Sequence, residues 1–351
     1  RTESWFRVLT ADEIASLEQA GRRFVDDDPD LRTVTAAEYP VPGAVRLFEE
    51  IAAAVDTGRG FLTVRGLPVH QYSDALSGAI LYIMGLHLGD PQRQNQLGDV
   101  LDSVRATTNR SRDDDSYAMA SRVRDGLAFH SDASDLVTLL CLRSAREGGQ
   151  SLLLSSAELY NEVLRRRPDL VATLFEPFHF DWYRQDHDAP ANTYVSPLCA
   201  IVDGVFSMTA GFGIIRSAQE YPEVPKFTEQ QRDLLDLCDD IIANTDGLVL
   251  SMDLEPGDMQ WACNYTVLHS RTNYADHDQY ELQRHLLRLW LRRTGRPLPS
   301  RFARHVLEAR APKQNAPDDA GNFRIRPASR PRMEWGNQRI GVSPVTGAAS
   351  S

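Results

Sequence analysis

Nowhere in this chain of 351 residues do 18 apolar residues run together, so no membrane-spanning helix is expected. The longest apolar-looking stretch, from Ala79 to Leu88, is too short and is broken by Gly85 and His87. Cysteine is scarce. Cys141, Cys199, Cys238 and Cys263 are widely scattered and make no CxxC pair, which argues against a disulfide frame or a zinc knuckle. They read as small buried hydrophobes of a reducing compartment, and a cytoplasmic location is expected. Positive charge is also short: 38 Lys and Arg face 49 Asp and Glu, a net charge of −11. Such a body is repelled by phosphate backbones and anionic bilayers, so neither nucleic acid nor a membrane surface is expected as its partner. The opening Arg1-Thr2-Glu3-Ser4 shows no charged-then-apolar leader pattern, and no internal repeat is visible. What the chain does have is 42% hydrophobic and 25% charged residues, enough for a real core in two domains or one enlarged one.

The first third reads as mixed α/β. Thr10-Ala-Asp-Glu13 is a capping box ahead of an apolar-periodic run to Phe24, which predicts a helix. Gly43 to Val55 and Ser73 to Leu88 read as two more helices, with strand-like Phe61 to Gly66 between them. From about residue 98 the texture changes to short β-type runs: Gly98 to Ala106, Leu136 to Leu142, Gln150 to Leu154, Thr193 to Val202 and Leu248 to Leu254. Helices are expected at Ser156 to Arg166 and Thr228 to Asn244. Glu255-Pro-Gly-Asp258 reads as a turn joining Leu248–Leu254 to a strand from Met259 to Leu268. The fold class expected is therefore mixed α/β, with a β-sandwich or distorted jelly roll decorated by helices. Past Arg310 the prolines multiply and periodicity fades, and between Arg296 and Arg339 basic residues outnumber acidic ones.

The stretch richest in chemistry is Gly126-Leu-Ala-Phe-His130-Ser-Asp132. In an extended segment His130 and Asp132 project to the same side and can bind one ion. His269 closes the apolar run that begins at Trp261. Two imidazoles and a carboxylate on one face of a metal leave the opposite face open, the facial arrangement of non-haem Fe(II) oxygenases. An H-x-D triplet alone is a weak signal, and the chain holds a second one, His179-Phe-Asp181. Two further runs strengthen the first. Glu147-Gly-Gly-Gln-Ser151 places a hydroxyl at the start of a strand, although on its own it reads as a plain Gly-Gly turn. In Arg284-His-Leu-Leu-Arg288-Leu-Trp-Leu-Arg292, Arg288 stands in an apolar strand context, where a guanidinium needs a carboxylate partner from the chain or from a ligand.

In that order the motifs FHSD (129–132), EGGQS (147–151), EPGDMQWACNYTVLHSR (255–271) and RHLLRLWLR (284–292) make the sequence resemble the taurine dioxygenase-like (TauD/TfdA) Fe(II)/2-oxoglutarate-dependent oxygenases, over roughly residues 40 to 295. The short spacing from His130 to Ser151 resembles the butyrobetaine hydroxylase-like branch more than taurine dioxygenase itself. The resemblance implies a double-stranded β-helix core, with Fe(II), 2-oxoglutarate and O2 taking part. It implies hydroxylation or desaturation at an unactivated C–H bond of a small metabolite, with release of succinate and CO2. His130, Asp132 and His269 match the iron ligands, and Arg288 matches the arginine holding the distal carboxylate of 2-oxoglutarate. Ser151 stands where the family usually has Thr, and Arg284 either assists or faces solvent. Because Asp132 is present, the halide site of related halogenases is not expected. Residues 1–97 are then expected as helical and mixed elements packed on the core. Residues 98–309 would form the catalytic β-helix, and 310–351 an extended segment with a disordered end.

Substrate contacts are expected outside the core, from 94–104, 109–124 and 179–192, with Tyr117 and Asn95 as individual candidates. His179, Asp181, His187 and Asp188 read as a loop near the site and not as a second metal centre. Phe129 and Trp261 are candidates for a dry wall, with ordinary core packing the weightier reading of each. Two other classes fit parts of the pattern, a two-His-one-Asp zinc hydrolase and a non-catalytic jelly-roll binding protein. Neither gives Arg288 and Ser151 a task. The substrate and the oligomeric state, for which relatives offer dimers and tetramers, are left open.

Overall fold

The computed structural model describes residues 4–94, 99–106, 122–181, 191–202 and 204–293. Asn95, Tyr117, His187, Asp188 and the segment 310–351 lie outside them. The helices start where their caps predict. Thr10 and Glu13 close a reciprocal capping box on Ala11–Asp27, and Ser73 accepts the Leu76 N–H ahead of Asp74–Leu88. Thr228 and Gln231 do the same for Glu229–Asn244.

Two sheets face each other. The larger has seven strands, and its order runs Phe6–Val8, Phe61–Arg65, Met259–Cys263, Leu136–Arg143, His285–Arg292, Asp90–Gln92, with Leu101–Val104 also paired to His285–Arg292. The smaller has Val249–Met252, Ser151–Ser155 and Val267–Arg271. Together they form the jelly-roll core of a mixed α/β fold. Ala11–Asp27, Val45–Asp56 and Asp74–Leu88 cover the outer face of the large sheet, where Trp261, Leu287, Leu289 and Leu291 join them in one buried apolar cluster. Ser156–Arg166 and Glu229–Asn244 cover the small sheet through Leu154, Leu159, Leu235 and Leu268. Between the sheets the apolar clusters are small and polar side chains are frequent. No helix among the described residues is long and apolar enough to cross a membrane.

One expectation fails in a way that builds the site. Met259 to Leu268 is not a single strand: Met259–Cys263 belongs to the large sheet and Val267–Arg271 to the small one. The crossing at 264–266 is held by Asn264, whose Oδ1 accepts the Asp132 N–H at 3.0 Å and whose Nδ2 donates to Ser134 O at 3.0 Å. A buried amide with such partners fixes a corner that hydrophobic periodicity cannot register. Glu255–Asp258 likewise crosses between sheets, with Gly257 at φ +95, where a Cβ would stand 2.0 Å from Leu67 O. The expected strand Thr193 to Val202 is also two, Thr193–Ser196 and Cys199–Val202.

Candidate active site

His130 and His269 form a single antiparallel rung. The N–H of His130 donates to His269 O at 3.0 Å, and that of His269 donates to His130 O at 2.9 Å. Side chains of directly opposed residues leave the same face, so the imidazoles stand side by side with centroids 4.3 Å apart. The His130 Nδ1–H donates to Ala128 O at 2.9 Å, which leaves the lone pair on Nε2. That Nε2 lies 3.9 Å from Asp132 Oδ1, and His269 Nε2 lies 3.5 Å from Asp132 Oδ2. One ligand atom from each of the three residues falls within 4.8 Å of the others, and no other such group occurs among the described residues. The donor set, two ring nitrogens and one carboxylate, suits a divalent transition metal.

The electrostatics agree with that use. Burial pulls the His130 pKa down to about 4, helped by the neighbouring His269, so the ring is neutral as a ligand must be. Burial works against the charge of Asp132, but Arg288 and His269 outweigh it and hold the carboxyl well below the usual carboxylate range. Trp290 Nε1 donates to Asp132 Oδ2 at 2.8 Å. Trp290 is the residue that sequence reasoning missed. Its only signal was its place two residues beyond Arg288, on the same face of a strand. Trp261 is a core residue, fully buried beneath the helices, and Phe129 packs among the apolar residues that cover the small sheet.

The two arginines stand in different surroundings. Arg288 Nε donates to Gln94 Oε1 at 2.6 Å and Nη2 lies 3.4 Å from Asp102 Oδ2, while Nη1 is 3.7 Å from Asp132 Oδ1. Gln94 in turn donates to Arg288 O at 2.8 Å and Val100 O at 3.0 Å. Arg288 is thus engaged within the chain, beside the metal ligands. Arg284 neither faces solvent nor pairs with an acid among the described residues. It is 6% exposed, its Nη1 is buried without a hydrogen-bond partner among the described residues, and its main-chain N–H donates to Asp276 Oδ1 at 2.7 Å. Arg284 is one end residue away from the strand His285–Arg292, whose large hydrophobic content hid its burial from a reading by periodicity.

Ser151 is buried and donates from Oγ to Gln260 Oε1 at 2.9 Å. The turn before it needs its glycines: Gly148 and Gly149 have φ +75 and +78, and a Cβ on Gly148 would stand 2.4 Å from Asn273 O. In the other H-x-D triplet, His179 Nδ1 contacts Thr193 Oγ1 at 2.9 Å and Asp181 accepts from Ser217 and Tyr221, a local polar network without a metal-ligand geometry.

Residues 30–290 match the family described as "Taurine catabolism dioxygenase TauD, TfdA family". FR-33289 synthase of Streptomyces rubellomurinus is 28% identical over 310 residues, covering 86% of this chain and 89% of the relative. The taurine hydroxylase-like protein SAT17 of Stachybotrys chartarum is 23% identical over 296 residues, covering 82% and 75%. Among solved structures, asparagine oxygenase with Fe(II), hydroxyasparagine and succinate matches with TM-score 0.63 at 18% identity, covering 82% of this chain and 93% of that one. The non-haem iron oxygenase OrfP with Fe and alpha-ketoglutaric acid matches with TM-score 0.57 at 16% identity, covering 82% and 94%. With the fold, the motif order and the converging His130, Asp132 and His269 agreeing with this match over most of its length, the chain belongs to the TauD/TfdA dioxygenase family.

Proposed function

We propose that His130, Asp132 and His269 hold the iron of this Fe(II)- and 2-oxoglutarate-dependent dioxygenase, and that Arg284, with the hydroxyl of Ser151, receives the distal carboxylate of 2-oxoglutarate. The enzyme oxidises a C–H bond of a small metabolite. The observations that carry the residue assignment are the convergence of the three ligand atoms within 4.8 Å and, for Arg284, a buried guanidinium that forms no ion pair among the described residues. Fe(II), when bound, supplies together with 2-oxoglutarate and O2 the two-electron oxidation, leaving succinate and CO2. The protein's own part is to prepare the groups. Ala128 fixes the His130 tautomer, Trp290 orients the Asp132 carboxylate, and Asn264 anchors its main chain.

Arg288 takes a different role in this reading from the one its motif suggested. Gln94 and Asp102 hold its guanidinium next to Asp132, where it faces an anionic group of the substrate. Support for a small polar substrate comes from the neighbours in fold, whose structures hold 3-hydroxyasparagine or (3S)-hydroxy-L-Arg. The four buried free thiols fit a reducing, cytoplasmic setting.

The test is anaerobic titration of the Fe(II)-loaded protein with 2-oxoglutarate, following the visible charge-transfer band of the chelate. Wild type is expected to develop the band, and Arg284→Gln to need at least about ten times more cosubstrate. Arg288→Gln is expected to keep the band and lose turnover. An iron-loaded wild type without a band overturns the assignment.

A further inference from the structure

Arg284 has a buried companion. Arg271, two residues beyond His269 on Val267–Arg271, is 5% exposed, and among the described residues its side chain donates to main-chain carbonyls alone. These are Val123 O at 3.1 Å, Thr272 O at 3.3 Å and Asp125 O. Its Nη1, like that of Arg284, is buried without a partner. Both guanidiniums lie over the ring of Tyr274, at 4.8 Å and 5.1 Å from its centroid. Asp276, which takes the main-chain N–H of Arg284, lies 3.9 Å from Arg124 and forms no ion pair with Arg271 or Arg284. Asp125 and Asp276 lie near enough to act on them, but among the described residues neither forms an ion pair with Arg271 or Arg284; two buried cations so placed are costly, and an anion brought by a ligand relieves both.

We propose that Arg271 and Tyr274 complete, with Arg284, a two-guanidinium seat for the distal carboxylate of the cosubstrate, a proposal that rests on the reading of Arg284 given above. Three placements argue for it. Arg271 is directly opposite Ser151 across the strand pair, so its side chain and the Ser151 hydroxyl share a face. Arg284 Nε lies 3.1 Å from where a Cβ on Gly149 would stand, so the glycine turn leaves room for that guanidinium. Arg271 follows His269 by one full strand repeat, about 7 Å, a span that a five-carbon dicarboxylate bridges. The seat makes the distal carboxylate a strict requirement: a 2-oxo acid without it would leave both guanidiniums bare.

The experiment is calorimetric titration of the Fe(II)-loaded protein under nitrogen with two probes, 2-oxoglutarate and 2-oxopentanoate, which has the same chain without the distal carboxylate. Wild type, Arg271→Gln, Arg271→Lys and Arg284→Gln are compared, with circular dichroism and thermal melting to confirm folding. Arg271→Gln is expected to weaken 2-oxoglutarate roughly 10- to 100-fold and to leave the already weak binding of 2-oxopentanoate unchanged. Arg271→Lys, which keeps the charge but not the planar fork, is expected to fall between wild type and Arg271→Gln. Equal losses for both probes, or none for 2-oxoglutarate, overturn the proposal. If Arg271→Gln does not fold, unchanged 2-oxoglutarate affinity in Arg271→Lys and in Tyr274→Phe together overturns it. Loss in Arg284→Gln but not in Arg271→Gln refutes only this inference, whereas a wild type that does not bind 2-oxoglutarate refutes the reading beneath it.

Discussion

Strand His285–Arg292 presents opposite chemistries on its two faces. Leu287, Leu289 and Leu291, all 0% exposed, enter the apolar layer beneath three helices. Arg288 and Trp290, on the other face, reach Asp132. Each face is made by the same period of two. The contrast teaches that the helix-covered face supplies rigidity and the inter-sheet face supplies chemistry. Several polar residues on the second are buried against one another: Trp290 with Asp132, Arg288 with Gln94, Ser151 with Gln260.

Mutations on the two faces should therefore fail differently. The largest effect belongs to Asp132→Ala, which is expected to lower iron affinity at least about 100-fold, as measured by competition with a chelating dye, while the folded state persists. A variant that bound iron normally would remove Asp132 from the ligand set. Leu289→Ala is expected to cost about 2–5 kcal/mol in chemical denaturation and to leave kcat/KM of the folded fraction near wild type. Comparable loss of turnover at full folding would show that the faces are not separable. Trp290→Phe keeps the ring and deletes one hydrogen bond, so iron affinity should fall about 10-fold or somewhat more, with the melting temperature nearly unchanged.

The smallest effect concerns acid. His130 has its folded pKa lowered to about 4 from an ordinary value of 6.5, so between these pH values the unfolded chain binds more protons than the folded one. In the metal-free protein this contribution is complete above pH 6.5 and is lost as pH falls towards about 4. Denaturation of wild type and His130→Gln across that window should show a steeper pH slope in the wild type. Equal slopes would mean that His130 is not the group responsible.

Much of this was legible in the sequence because it rests on local rules. The capping boxes at Thr10 and Thr228, the paired glycines at 148 and 149, and the H-x-D triplet at 130–132 each announce themselves within a few residues. The chain's order of motifs then placed His269 with them. What stayed hidden depends on contacts between distant segments. The break at 264–266 is enforced by an amide bonded to residues 132 and 134, which no periodicity encodes. The different surroundings of Arg284 and Arg288 turn on which acids lie nearby. Asp102 and Gln94 meet Arg288 only after Leu101–Val104 has paired with the strand that carries it.

The His130–His269 rung joins residues separated by more than a third of the chain, and two backbone hydrogen bonds complete it. A growing polypeptide therefore cannot assemble this site until residue 269 has been synthesised and that long loop has closed.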